Sequence, residues 1–431
     1  MFKHLSIFDP EIAKSIEQEL TRQQQGLEMI PSENFTSLAV LEALGSILTN
    51  KYSEGYPGKR YYGGNQYIDQ VEELAQERAK KLFGVDHVNV QPYSGSPANQ
   101  AAIFAVARPG EKIMGMSLLF GGHLTHGWKV NFSGVCYNSV QYQTGPNGLL
   151  DYDELEKLVK TEKPKVFFCG ATAYPRLYDY PRLAKIIHGV DGYFIADIAH
   201  EAGMIAAKVI LSPVGYADII TTTTHKSLRG PRGAMIMCNG LPSHPLKPLT
   251  AEETPRDNLP TLIDRAVFPG LQGGPHNHQT AAIAVALAEA AKPEFKIYAE
   301  QILKNAKALA ASLMNEGLKL VTDGTDNHLM IIDLTSLNLG GKDGELALEQ
   351  VGITVNKNTI PFDHRKPFDP SGIRLGTPAL TSRGMKEEVM VEIGQIISLV
   401  LKSPTNKSTL EKAREQVKNL TKQYPLYSEL N

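Results

Sequence analysis

Cysteine is scarce in this chain: 431 residues contain three, Cys136, Cys169 and Cys238. An odd number, widely spaced and without a CxxC pair, argues against a disulfide framework and a zinc site. All three fall in apolar runs that look like strands. Buried structural thiols are therefore expected, and with them a reducing, cytoplasmic compartment. Also missing is any uninterrupted apolar stretch near the roughly 18–20 residues that cross a bilayer. The start, Met1-Phe2-Lys3-His4-Leu5, lacks the apolar core of a secretory signal. Neither sign of charge dominates. A net charge of −2 gives no reason to expect a general affinity for nucleic acid or anionic membrane. Internal repeats and low-complexity tails are absent as well.

What is there describes an ordinary globular protein with a sizeable core: 42% of residues are hydrophobic and 21% charged. The length suits two or three domains. Asp9 to Gln25 reads as an amphipathic helix started by Asp9-Pro10, which predicts a helical arm over residues 1–25. Seven short apolar runs fit buried strands: His87–Gln91, Lys112–Met116, Val135–Tyr142, Val166–Cys169, Tyr193–Asp197, Asp218–Thr222 and Ala234–Cys238. Helical patterns at Asp69–Leu82, Tyr152–Lys160 and Leu183–His188 lie between several of them. Such alternation predicts an α/β domain, residues 26–278, with a mainly parallel sheet. The Pro-rich stretch Leu241 to Pro260 reads as loop. Residues 279–431 are expected to form a smaller α+β domain. It would begin with the Ala-rich helical run Gln279–Leu313 and include strands at Leu329–Leu334 and Ile353–Val355. Helices follow at Met385–Leu401 and Thr409–Tyr424.

Six segments carry chemistry. In Thr221-Thr222-Thr223-Thr224-His225-Lys226-Ser227, a lysine follows a strand end among hydroxyls. Partial burial would lower its pKa and suit it to Schiff-base formation with an aldehyde cofactor, while a phosphate-binding or surface-loop lysine is the alternative. Tyr193–Asp197 is a buried strand ending in a carboxylate, which needs a cationic partner. A pyridinium nitrogen is such a partner, and keeping it protonated makes the ring an electron sink. Tyr93-Ser94-Gly95-Ser96-Pro97 reads as a turn opening a helix. Its N–H groups and hydroxyls suit a phosphate, or merely cap the helix.

In Gly121-Gly122-His123-Leu124-Thr125-His126-Gly127 the spacing offers two histidines but no third metal ligand, so no metal is expected. A His ring against a flat cofactor fits better, with glycines allowing close approach. Lys51-Tyr52-Ser53-Glu54-Gly55-Tyr56-Pro57-Gly58-Lys59-Arg60-Tyr61-Tyr62 is dense in Tyr, Glu and Gly and reads as a functional loop, without the pattern of a nucleotide P-loop. In Ser371-Gly372-Ile373-Arg374-Leu375-Gly376, an Arg within an apolar run needs an anion, either a substrate carboxylate or an internal acid.

Together these segments, in this order and over nearly the whole chain, closely resemble the serine hydroxymethyltransferase family. The resemblance implies an aspartate-aminotransferase-like, fold type I pyridoxal-phosphate enzyme with a seven-stranded large domain. It would work as a dimer or a pair of dimers, with active sites built from two subunits. Its substrates would be serine, glycine and tetrahydrofolate. A folate-independent aldolase acting on β-hydroxy amino acids is the alternative. The same resemblance implies the roles of individual residues. Lys226 would hold the cofactor, Asp197 would bind its ring nitrogen and His123 would stack on the ring. Ser94, Gly95 and Ser96 would hold the phosphate, with Tyr52, Gly273 and Gly274 from the neighbour. Thr172 and His200 would lie near the ring hydroxyl. Arg374 would take the substrate carboxylate, near Ser32 and Tyr62, and the neighbour's Glu54 would handle protons. Leu118, Gly122, Leu124 and Asn358 match folate-contacting positions, and His225 a specificity position. Four residues depart from the common pattern: Pro31, Thr172, Gln66 and Glu201, the last setting an acid beside His200.

Overall fold

The computed structural model describes residues 3–241 and 249–430. The chain divides into two compact units, Asn34–Glu300 and Met1–Glu33 with Gln301–Asn431. The larger unit is built on seven strands: β1 (His87–Asn89), β2 (Lys112–Met116), β3 (Asn138–Tyr142), β4 (Val166–Cys169), β5 (Tyr193–Asp197), β6 (Ile219–Thr223) and β7 (Ala234–Cys238). They lie in the order β1-β7-β6-β5-β4-β2-β3. The five from β6 to β3 run parallel, while β7 is antiparallel to both β6 and β1. Strands β4, β6 and β7 are buried at every residue. This explains why β4 and β7 read as continuous apolar runs rather than alternating ones, while β6 buries a row of threonines. Helix α1 (Gln66–Phe83) precedes the sheet, α2 (Gly95–Val106) follows β1, and α3 (Asn277–Ala290) packs with α1. Alanines of α2 lie in one core with Phe168, Ile195, Ile219 and Ile236.

The smaller unit holds an antiparallel sheet, β8 (Lys319–Leu320), β9 (Leu329–Asp333), β10 (Asn356–Asn358) and β11 (Gly372–Gly376), in the order β8-β9-β11-β10. Asp9 caps the helix Pro10–Gln25 by accepting from the N–H of Ile12. That helix and the helix Lys407–Gln423 end close together on Arg383. Its buried guanidinium donates to the carbonyls of Gln23, Gln24, Gly26, Thr421 and Tyr424. A cation there satisfies orphan carbonyls and meets the negative ends of two helix dipoles. No helix of the described residues is long and apolar enough to cross a membrane.

Several expectations need correction. Val135 and Cys136 belong to a short helix, Phe132–Cys136, started by Asn131 accepting from Ser133; β3 begins only at Asn138. Cys136 is consequently exposed, whereas Cys169 and Cys238 are buried. The Ala-rich run is two helices, α3 and Pro293–Asn315, because Pro293 cannot continue the first. Of the Pro-rich stretch, residues 242–248 lie outside the described part, and Leu259–Pro260 already open a helix ending at Arg265. Pro97 is the third residue of α2, not its first, still within the turn whose N–H groups need no partner in the helix. A short helix, Lys3–Phe8, precedes the arm. The chain passes between the units at Asn34 and Gln301, and α3, the start of the expected small domain, lies in the larger one.

Candidate active site

Ligands of open α/β sheets bind beyond the carboxyl ends of the parallel strands, and here β5 and β6 end side by side. A cavity at that point is lined by Gly95, Asn99, His123, His126, Ala171, Thr172, Asp197, Ala199, His200, Thr223 and Lys226. Lys226 stands three residues beyond β6, and its Nζ donates to Thr223 Oγ1 at 3.3 Å. The turn that carries it is held from several directions. Its carbonyl accepts from Asn34 and from the N–H of Arg229, and Ser227 Oγ donates to the His200 carbonyl. Arg229 adopts a left-handed φ of 58°, which lets the Gly230 N–H return to the Thr224 carbonyl.

Asp197, the last residue of β5, accepts at Oδ2 from Asn99 at 2.7 Å and from His126 at 3.1 Å, and at Oδ1 from the N–H of Ala199. Burial by itself would raise its pKa, but the His126 hydrogen bond and the neighbouring positive charges hold it well below the usual carboxylate range. The protein therefore keeps a buried anion in the same cavity as an amine. Asn99 is set by its own partners, donating to Thr125 and accepting from Thr221. His123 Nδ1 lies 2.7 Å from Thr125 Oγ1. Burial, then the proximity of His126, lowers the His123 pKa to about 4, so its ring is neutral at pH 7. Gly95 opens α2, and a Cβ there would meet Thr223 Cγ2 at 2.8 Å. Ser94, at the cap position, makes no side-chain bond to the helix, leaving its hydroxyl and the first N–H groups available to an anion. Thr172 donates to the Gly121 and Gly122 carbonyls, tying the glycine turn to the end of β4.

Asn99, Thr125, Thr223 and His126 were given no such role by sequence reasoning. Asn99 carried a readable signal, an amide buried in an Ala-rich helix that needs partners. The fold also supplies the third ligand type that spacing did not offer the two histidines, because Asp197 joins them within 4.8 Å. Their nitrogens nevertheless face Thr125 and Asp197 as hydrogen-bond partners. Glu201 is buried, with its carboxylate accepting from Tyr180 at 3.4 Å beside Tyr178 and Cys169. Burial, then Lys226 and Arg232, lowers the His225 pKa to about 3.

Tyr52, Glu54, Tyr62, Gly273 and Gly274 form a second group. Tyr52 donates to Glu54 at 3.3 Å and meets the Tyr62 ring edge-on at 5.1 Å. A Cβ on Gly273 would lie 3.0 Å from Glu54 Oε1, and one on Gly274 3.1 Å from the Tyr52 ring. Leu118 and Leu124 lie in short 3-10 turns flanking Gly122. In the smaller unit lie Ser32, Asn358 on β10 and Arg374 on β11. Arg374 is buried, its pKa lowered by that burial to about 10, and its Nε donates to Asn356.

The sheet and the lysine–aspartate cavity define a pyridoxal-phosphate enzyme of fold type I. A family model for serine hydroxymethyltransferase matches residues 5–397. A serine hydroxymethyltransferase of Acidothermus cellulolyticus is 51% identical over 428 residues, covering 98% of this chain and 96% of that protein. The chain belongs to the serine hydroxymethyltransferase family, whose members use pyridoxal phosphate and tetrahydrofolate in one-carbon metabolism and glycine formation. The residues present fit that cofactor. An ionised buried carboxylate, a lysine amine, a neutral imidazole and the N-terminus of α2 surround one cavity.

Proposed function

We propose that this enzyme moves the hydroxymethyl carbon of serine to tetrahydrofolate, giving glycine and methylenetetrahydrofolate, with the residues above in the following roles. When bound, the cofactor supplies an electron sink for the pair left at Cα. Lys226 would hold the cofactor through its aldehyde, and Asp197 would bind its ring nitrogen and favour the protonated form. Neutral His123 packs on the ring, with Thr172 and His200 near the ring hydroxyl. Ser94, Gly95 and Ser96 hold the phosphate, assisted by Tyr52, Gly273 and Gly274 of a neighbouring copy. Arg374 takes the amino-acid carboxylate, a match for its planar guanidinium, and Ser32 and Tyr62 are further substrate-binding residues. His225 contributes to substrate choice. Leu118, Gly122, Leu124 and Asn358 contact the folate. Glu54, half-buried on its loop, takes and returns protons during carbon transfer.

The observation that carries this reading is Asp197, a buried anion held in one cavity with Lys226. The enzyme is proposed to act in the cytoplasm as a homodimer with shared sites, alone or paired into a tetramer. The measurement is the visible spectrum of the purified protein, followed by addition of glycine and tetrahydrofolate together. A yellow protein that gains a longer-wavelength band only with folate supports the transferase. Yellow protein without that band supports the folate-independent aldolase. Lys226→Ala is expected to abolish both colour and turnover, and a variant with near-normal activity sinks the lysine assignment. Glu54→Gln is expected to stay yellow and to lose folate-dependent transfer. It should keep folate-free cleavage of 3-hydroxy amino acids; equal loss of both would contradict the role.

A further inference from the structure

The loop that presents Glu54 is unusually well held for a surface segment. Strands Gly55–Tyr56 and Lys59–Arg60 form a hairpin closed by Pro57-Gly58, with Gly58 at φ 71° as a tight turn of this kind requires. The hairpin returns Arg60 beneath residue 54. Arg60 Nη1 donates to the Ser53 carbonyl at 2.9 Å and to the Gly55 carbonyl at 2.7 Å, the two carbonyls on either side of Glu54. The Glu54 carbonyl between them accepts from the N–H of Tyr61. All three consecutive carbonyls are therefore taken.

The guanidinium is itself fixed. Its side chain is 3% exposed, Nε donates to Asp69 at 2.8 Å and Nη2 to Glu72 at 2.6 Å, one turn apart on α1. Gln91 closes the arrangement by donating to both the Gly55 carbonyl and Glu72. Asp69 also accepts from the N–H of Gly58, so it holds the hairpin turn and the cation together. Four acceptors in different directions match the planar fork of an arginine and cannot be met by an ammonium.

We propose that Arg60 is a positioning residue for Glu54: held by Asp69 and Glu72, it grips the carbonyls on both sides of Glu54 and fixes where that carboxylate stands. The inference rests on the proton-handling reading of Glu54. A group that moves protons must meet its partner within a fraction of an ångström, and a displacement of about 1 Å costs roughly 10²-fold in rate. The side chain itself is only half-buried, so its aim depends on the backbone that carries it.

The test is a double-mutant cycle in the holoenzyme with Arg60→Lys, Glu54→Gln and the double variant. Thermal midpoint, visible absorbance, folate-dependent transfer and folate-free cleavage are followed for each. Arg60→Lys is expected to lower folate-dependent kcat by roughly 10²-fold, to keep the colour, and to leave folate-free cleavage within about twofold. In the Glu54→Gln background it should add no further loss. Glu72→Gln, which retains an acceptor but frees the guanidinium, should give the same pattern at roughly tenfold; it carries the test should Arg60→Lys not fold. Equal loss of both reactions, loss that multiplies with Glu54→Gln, or unchanged folate-dependent kcat would each overturn the proposal. A normal rate in Glu54→Gln alone would instead remove the Glu54 reading on which it stands.

Discussion

At the scale of the residue, the centre of the molecule is one carboxylate kept charged where burial argues against charge. Asp197 achieves this through a side-chain amide and an imidazole, 98 and 71 residues away in the chain. Asp197→Asn keeps the shape and removes the charge. Cofactor affinity is expected to fall about 30-fold, the scale of a charge-assisted hydrogen bond worth ~2 kcal/mol, read by equilibrium titration of the visible absorbance. The two depressed histidines give a pH signature. His123 and His225 ionise near 4 and near 3 in the folded chain, against 6.5 in the unfolded one. Between those values the unfolded chain binds more protons. Their contribution is therefore complete above pH 6.5 and is lost as pH falls toward 4 and 3. Urea midpoints should drop from about pH 7 to about pH 4.5, and His225→Gln should flatten that drop by on the order of 2 kcal/mol. Asp197 stood out in the sequence as the carboxylate that closes a buried apolar run, and Lys226 as an amine just past a strand end among hydroxyls. His126 did not, since nothing in GGHLTHG tells which ring meets a carboxylate two strands away.

At the scale of the element, reading strand position worked for β4 and β7, where both faces are buried and a continuous apolar run has one interpretation, but it missed the equally buried β11, whose run is broken by two glycines and an arginine. It failed at Val135-Cys136, where the run is equally apolar. There, Asn131 captures the Ser133 N–H and turns the chain into a helix first. The mutual arrangement of helices was less readable still. Arg383 lies at the start of no motif, yet it gathers five carbonyls from the ends of two helices and the segments after them. Arg383→Met leaves those carbonyls without a donor and should cost about 3 kcal/mol, measured as a lower urea midpoint. Arg383→Lys should recover only part of this, since one ammonium cannot reach all five.

At the scale of the whole molecule, the chain divides into two compact units at Asn34 and Gln301, positions that no composition change marks in the sequence. Residues 1–33 join the C-terminal part through contacts remote in sequence, among them the pairing of Leu27–Glu28 with Ile353–Thr354. If Glu54 serves a neighbour's Lys226, inactive copies should rescue one another. Co-expressed Lys226→Ala and Glu54→Gln chains that pair at random should recover roughly a quarter of wild-type transfer, from the one intact site of each mixed dimer. Recovery of none would mean that each chain supplies both residues to its own site. The exposed position of Cys136 has a practical consequence. The thiols of Cys169 and Cys238 are buried and pushed above their ordinary pKa, the first well above it, by that burial. A maleimide dye should therefore attach once per chain, at Cys136, giving the unaltered protein a defined fluorescent reporter on the helix that leads into β3.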